Sequence, residues 1–323
     1  MPSQLLHGTL MYETFKRYSR DGLLTIHIGS MIITLIGDRK YVKEAFVQDE
    51  ANHRHPILLD IFKKAFYKPN DHIPWVEAGG GILMGAGPGW YEQRKFLVQT
   101  LKEFGVGNQD IESLINVEVD EFCKYMENEL VPELPAQNDS DDSENFFHIP
   151  VINILWQIVA GERYDYYDTQ VGKIAKKVTD ITRVPLYQAN LATFFPIVEK
   201  IYPKIVLPSN YAAVFEIRKY VEVLIQKHQE TFDPENIRDF IDKYLLKMQQ
   251  SEERIGSTFR GSVGYANLTA MLIDIFLAGM DTTSVTLQFV ILYMVNNQEV
   301  QKKARHEIHD VIGQNRGPSL ADR

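Results

Sequence analysis

The chain has 323 residues, 45% hydrophobic and 24% charged, an ordinary balance for a globular protein with enough apolar material for one large core. Its formal net charge of −9 argues against a nucleic-acid binder, which would present a basic face. The one cysteine, Cys123, excludes an internal disulfide and fits a reducing compartment.

The first thirty residues lack a basic start followed by a long apolar stretch, so no signal peptide is read there. Met11 to Arg20 has helical spacing and stops at Asp21-Gly22. Leu23 to Asp38 reads as a β-hairpin: two β-branched runs separated by Gly29-Ser30. A short helix is expected over Lys40 to Gln48. Residues 68–89 carry three prolines and a glycine cluster, so they should be loop. From Trp90 onward the pattern turns helical. An acidic surface loop is expected at 132–145, followed by a buried helix from Ile149 to Ala160 that ends at Gly161. Further helices are expected around 170–183, 211–231 and 236–250, with proline breaks between 185 and 208. The last two are placed at about 265–297 and 298–312. The fold class is mainly α with a small β-sheet near the N-terminus, in one domain over residues 1–323.

Leu268 to Val295 is the most informative stretch. Apart from Asp274, Asp281 and Gln288 it is almost wholly apolar or small. A transmembrane helix competes as a reading, since the length suffices. Two carboxylates inside the span make that costly, and the seven-residue recurrence of the polar positions puts them on one face. A helix running through a large core is therefore favoured.

Inside it lies Ala278-Gly279-Met280-Asp281-Thr282-Thr283. One reading has Gly279 ending a helix and Asp281 or Thr282 capping the next. The other is chemical. Ala278 and Thr282 share a face, so the threonine hydroxyl can bond back to the alanine carbonyl. Gly279 would leave room for a flat macrocycle, and Asp281 with Thr282 could relay protons. A second pair, Trp90 and Arg94, stands one helical turn apart after the glycine-rich loop. Such a pair is commonly a surface stacking contact. Arginine also suits a carboxylate, because its donors match both oxygens at once.

Together these strings, with the opening hairpin, the Arg54-Pro56 neighbourhood and Asn-Ile-Arg-Asp-Phe-Ile-Asp-Lys-Tyr-Leu (236–245), resemble the cytochrome P450 family over nearly the whole chain. The likeness is to animal microsomal members of the vertebrate drug-metabolising type. The resemblance implies a cytochrome P450 fold and haem b (iron protoporphyrin IX). It implies insertion of one oxygen atom from O2 into a lipophilic small molecule, with electrons from NADPH through NADPH-cytochrome P450 reductase. Trp90 and Arg94 would bind a haem propionate, Ala278 and Gly279 would line the haem, Thr282 would orient dioxygen and water, and Asp281 would help deliver protons. It also implies attachment to the cytosolic face of the endoplasmic reticulum membrane through an N-terminal anchor.

The sequence departs from the family pattern. No Glu-x-x-Arg string follows the central helix, and no cysteine stands in a glycine loop; Glu235-Asn-Ile-Arg238 lies upstream and reads as a solvated helix start. The anchor and its proline-rich hinge are not found either. The expectation is thus a partial record of a monooxygenase, inactive as 323 residues alone, the alternative being a non-catalytic protein that binds lipophiles or a partner. Leu186, Leu191, Phe194, Phe195 and Phe276 are expected to line the substrate site. Lys95 and Lys102 form a basic patch for the reductase or an ordinary solvated face. His306-Glu-Ile-His309 has its histidines three apart and misses the zinc-protease spacing. The sequons at Asn138 and Asn267 are read as coincidence.

Overall fold

The computed structural model describes residues 8–29, 31–52, 81–83, 85–106, 109–130, 146–182 and 211–322. The expectations for 68–80, the acidic loop at 132–145, the Arg54-Pro56 neighbourhood, the proline breaks and Leu186 to Phe195 lie outside them. Within them the chain is mainly helical, with a two-stranded antiparallel sheet.

Helix α1 (Gly8–Tyr18) leads into β1 (Leu23–Ile28) and β2 (Met31–Ile36). The register runs from Leu23↔Ile36 to Ile28↔Met31, as the position of Gly29-Ser30 requires. Thr25 and Thr34 face each other across it, their hydroxyls 3.0 Å apart. Asp38 then caps α2 (Arg39–Phe46) by accepting from the Lys40 amide at 2.7 Å.

The helical body follows. Helix α3 spans Gly87–Glu103, with Pro88 in its first turn, where the missing N–H has no partner to lose. Next come α4 (Gln109–Tyr125), α5 (His148–Ala160) and α6 (Thr169–Thr182). Helix α5 stops at Gly161, whose φ of +62° supplies the left-handed C-cap. Helices α7 (Tyr211–Thr231), α8 (Phe240–Gln250), α9 (Gly261–Asn296) and α10 (Gln298–Val311) complete the body. Helix α8 begins four residues later than its apolar spacing suggests, because Asp239 caps it by accepting from the Asp242 amide at 2.9 Å.

The core forms where α9 meets α5, α6, α7 and α8. Leu268, Met271, Leu272, Ile273 and Phe276 of α9 are fully buried against Ile152, Trp156 and Val159 of α5 and Ile217, Val221 and Ile225 of α7. Burying each such side chain contributes about 1.5–3 kcal/mol. The same core extends to α3 and α8: Phe96 meets Tyr244 and Phe259 edge-on at 5.5 and 5.1 Å.

The core reading of α9 holds for only part of its length. Residues Asn267 to Leu277 are buried, whereas Phe289, Leu292, Tyr293 and Val295 are each more than half exposed. By length and composition Gly261–Asn296 is also the one helix among the described residues that could cross a membrane.

Candidate functional site

The site is built where α9 leaves the core. The helix runs unbroken through Gly279, so the break-and-cap reading of 278–283 is excluded. Thr282 Oγ1 donates to the Ala278 carbonyl at 2.7 Å, and both residues are exposed on one face. Thr286 repeats the bond to Thr282 at 2.7 Å, and Ser284 bonds back to Met280 at 2.5 Å. Short β-hydroxyl side chains reach the carbonyl one turn earlier without straining their rotamers.

Gly279 does not serve the exposed face. A Cβ built there would lie 2.3 Å from Leu155 Cδ2 of α5. Its missing side chain therefore lets α5 and α9 approach, and the expected room for a macrocycle has to come from Ala278 and the space beyond it. Phe276 likewise turns inward, edge-on to Trp156 at 4.9 Å and to Tyr220 at 6.1 Å, so it belongs to the core and not to a substrate wall.

Asp281 sits between these two environments. Its side chain is 14% exposed, and Oδ1 lies 3.5 Å from Nε2 of His148, a buried residue in the first turn of α5. No periodicity argument singled out His148; it lies among apolar residues and is brought to Asp281 only by the α5–α9 packing.

Trp90 and Arg94 lie on α3 as their spacing requires, the guanidinium 5.7 Å from the indole centroid. Arg94 and Lys95 are exposed, as is Lys102. The indole N–H, however, is engaged: it donates to the Ile82 carbonyl at 3.0 Å. Ile82 belongs to a short turn that is itself anchored to α9. Asp274 Oδ2 accepts from the Ile82 amide at 2.6 Å and from the Leu83 amide at 2.8 Å. Burial raises the Asp274 carboxyl to about 7, against the lowering effect of those two amides. Sequence reasoning noted Asp274 only as a polar position on the helix face; nothing local pairs it with residues nearly two hundred positions away.

The same helix is fixed from its other side. Gln93 is fully buried, donating to Thr258 Oγ1 at 2.8 Å and accepting from the Tyr244 hydroxyl at 2.9 Å, while Thr258 Oγ1 donates to Glu92 at 2.6 Å. These bonds set the rotation of α3 and hence where Trp90 and Arg94 point.

Other polar clusters are structural. His228, Asp239 and Asp242 place one ligand atom each within 4.8 Å of one another, a spacing a metal could use. Their atoms are committed elsewhere: His228 reaches Leu224 O at 2.8 Å and Asp239 at 2.9 Å, and the Arg238 fork holds Asp242 at 2.6 and 2.8 Å. Arg238, expected at a solvated helix start, is thus half of an ion pair. His306 pairs with Asp310 at 3.2 Å on exposed α10. Asn267 is buried and donates to Thr258 O at 2.9 Å, so that sequon is not accessible for glycosylation. Cys123 is exposed on α4. A cavity of about 770 Å³ opens between α6 and α7, edged by Glu162, Lys177, Glu216 and Lys227, away from the α9 face.

A threonine back-bonded on the open face of a core helix thus stands beside a mostly buried aspartate. Comparison with known proteins decides the matter: the cytochrome P450 family model matches residues 4–323. The chain belongs to the cytochrome P450 family. It is 30% identical over 319 residues to chicken cytochrome P450 2H2, covering 97% of this chain and 59% of that protein. It is 30% identical over 317 residues to human cytochrome P450 2J2, covering 95% and 57%. Silkworm farnesoate epoxidase is 28% identical over 244 residues, covering 75% and 47%. This cytochrome P450 chain therefore spans a little under three fifths of the length of the microsomal-type relatives it matches.

Proposed function

We propose that this protein is a haem-dependent monooxygenase that inserts one oxygen atom from O2 into a lipophilic small molecule. The observation that carries the reading is the Thr282–Ala278 back-bond at 2.7 Å on the exposed face of α9, with Asp281 in the next position. The residues fit the group the family uses. Ala278 and Thr282 present a low, open surface to a flat macrocycle, and Arg94 offers an exposed fork to a propionate. Gly279 is withdrawn from that surface, and the Trp90 N–H must leave Ile82 before it can bind the cofactor.

Haem, when bound, supplies oxygen binding and the oxidising power; the chain's own residues control protons and access. The Thr282 hydroxyl has one proton and spends it on Ala278. Toward the site it can therefore only accept, so a water donating to it would be held with its second proton free to be passed on. Asp281 stands beside it as proton carrier, held by His148 on its inner side. Electrons would come from NADPH through NADPH-cytochrome P450 reductase, and Lys95 and Lys102, exposed on α3, are the docking cations we assign to it. The silkworm relative is a farnesoate epoxidase, which agrees with a lipophilic substrate class. Attachment at the cytosolic face of the endoplasmic reticulum belongs to the same reading.

The test is a haem titration of the purified chain followed by a reduced carbon-monoxide difference spectrum. A thiolate-type band supports the monooxygenase reading for these 323 residues by themselves. Haem uptake without that band supports a chain that binds but does not oxidise, and no uptake removes the cofactor from this polypeptide.

A further inference from the structure

A continuous line of hydrogen bonds joins the middle of α9 to Trp90. It starts at the buried carboxylate of Asp274, passes through the Ile82 and Leu83 amides, and leaves the turn by the Ile82 carbonyl to the indole N–H. Each bond is 3.0 Å or shorter. The turn is built for this contact. Gly81 has φ +76°, and a Cβ on it would stand 2.5 Å from Asp274 Oδ2 and 3.4 Å from the Ala270 Cβ. Only glycine combines that backbone conformation with that approach.

Asp274 uses one oxygen for two backbone donors, and among the described residues no side-chain charge acts on it. A buried carboxylate so placed is costly unless it organises something. What it organises is a turn whose next polar contact is the indole of Trp90. An indole has a single N–H, so Ile82 and any other acceptor exclude each other.

We propose that Asp274 is the positioning residue for Trp90, acting through the 81–83 turn. It touches no cofactor; it fixes the carbonyl that sets the indole's height and direction on α3. The meaning of this for haem rests on the propionate reading of Trp90, but the positioning itself does not.

The test is hydrogen exchange at the indole N–H groups, followed by NMR on the folded chain without haem. Three tryptophans, Trp75, Trp90 and Trp156, give three indole signals, and Trp90→Phe assigns the one concerned. Asp274→Leu should speed exchange at Trp90 tenfold or more and leave Trp156 unchanged. Asp274→Asn, which keeps an acceptor oxygen, should restore most of the protection. Gly81→Ala attacks the same contact from the turn and should reproduce the loss, so it decides the matter if Asp274→Leu does not fold. Unchanged Trp90 exchange in a folded Asp274→Leu or Gly81→Ala chain overturns the proposal. Equal loss in the Leu and Asn variants overturns it too, since a mere packing role needs no acceptor. A haem titration of Trp90→Phe tests the propionate reading separately: unchanged affinity there removes that reading and leaves the positioning intact.

Discussion

Thr282 and Ala278 are joined by a side-chain-to-backbone bond of 2.7 Å at the point where α9 passes from buried to exposed. The bond consumes the hydroxyl proton without consuming the oxygen's lone pairs. Thr282→Val keeps the shape and removes the oxygen. Because the site is exposed, thermal melts should shift stability by no more than about 0.5 kcal/mol. In a chain that also carries the family's cysteine loop, oxidation of an apolar probe by haem-loaded protein with reductase should fall at least about tenfold, equivalent to about 1.4 kcal/mol of barrier. Thr282→Ser should keep most of the rate. A valine variant with full turnover would remove Thr282 from the mechanism.

Asp274 gives the fold a pH dependence of known sign. Its folded pKa, about 7, lies above the ordinary carboxylate value because burial disfavours the charge. Its stabilising contribution is therefore full below about pH 4 and is lost as the pH rises through about 7. Between pH 5 and 8.5 the wild-type chain should lose up to about 3 kcal/mol relative to Asp274→Asn, whose side chain does not titrate. Urea melts of both chains at several pH values measure it. Parallel curves would show that Asp274 does not titrate in this range.

His228 carries the second pH-sensitive contact. Both ring nitrogens face acceptors, Leu224 O and Asp239 Oδ2, and only the doubly protonated ring satisfies both. Burial works against that charge, but the Asp239 carboxylate and the Leu224 carbonyl outweigh it and raise the pKa. The contribution is present below the ordinary imidazole range and fades as the pH rises through the raised value. His228→Gln should cost about 1.5–3 kcal/mol at pH 6 and less at pH 9. A cost independent of pH would mean that the ring is neutral throughout.

Glu118 is a buried carboxylate on α4 that ties three elements. It accepts from Asn153 of α5 at 2.9 Å, from Arg163 at 2.7 Å and from the Tyr166 hydroxyl at 2.5 Å. Glu118→Ala leaves those donors without their acceptor and should destabilise the fold by about 3–5 kcal/mol. Glu118→Gln should cost less. Calorimetric melts of the two variants distinguish loss of an acceptor from loss of charge.

The local signals were legible because they depend on near neighbours. Gly29-Ser30 fixed the hairpin register, Gly161 the end of α5, and the four-residue spacing of Ala278 and Thr282 the back-bond. Membership of the family was also readable from two short strings and their order. Family recognition did not orient the side chains, however. Gly279 and Phe276 were assigned to the haem and substrate surfaces, and both turn toward α5.

By itself the sequence determined the helical repertoire, the hairpin, the family and the face shared by Ala278 and Thr282, since each follows from backbone period and contacts a few residues apart. Only the tertiary structure decided that Asp274 holds the turn before Trp90, that His148 backs Asp281 and that Gln93 locks α3 to Tyr244 and Thr258. The partners in those contacts lie from about 130 to 190 residues apart, except for Trp90 and Ile82. Buried polar groups must find partners wherever packing delivers them, and periodicity, which sees only one helix at a time, carries no record of which helix arrives.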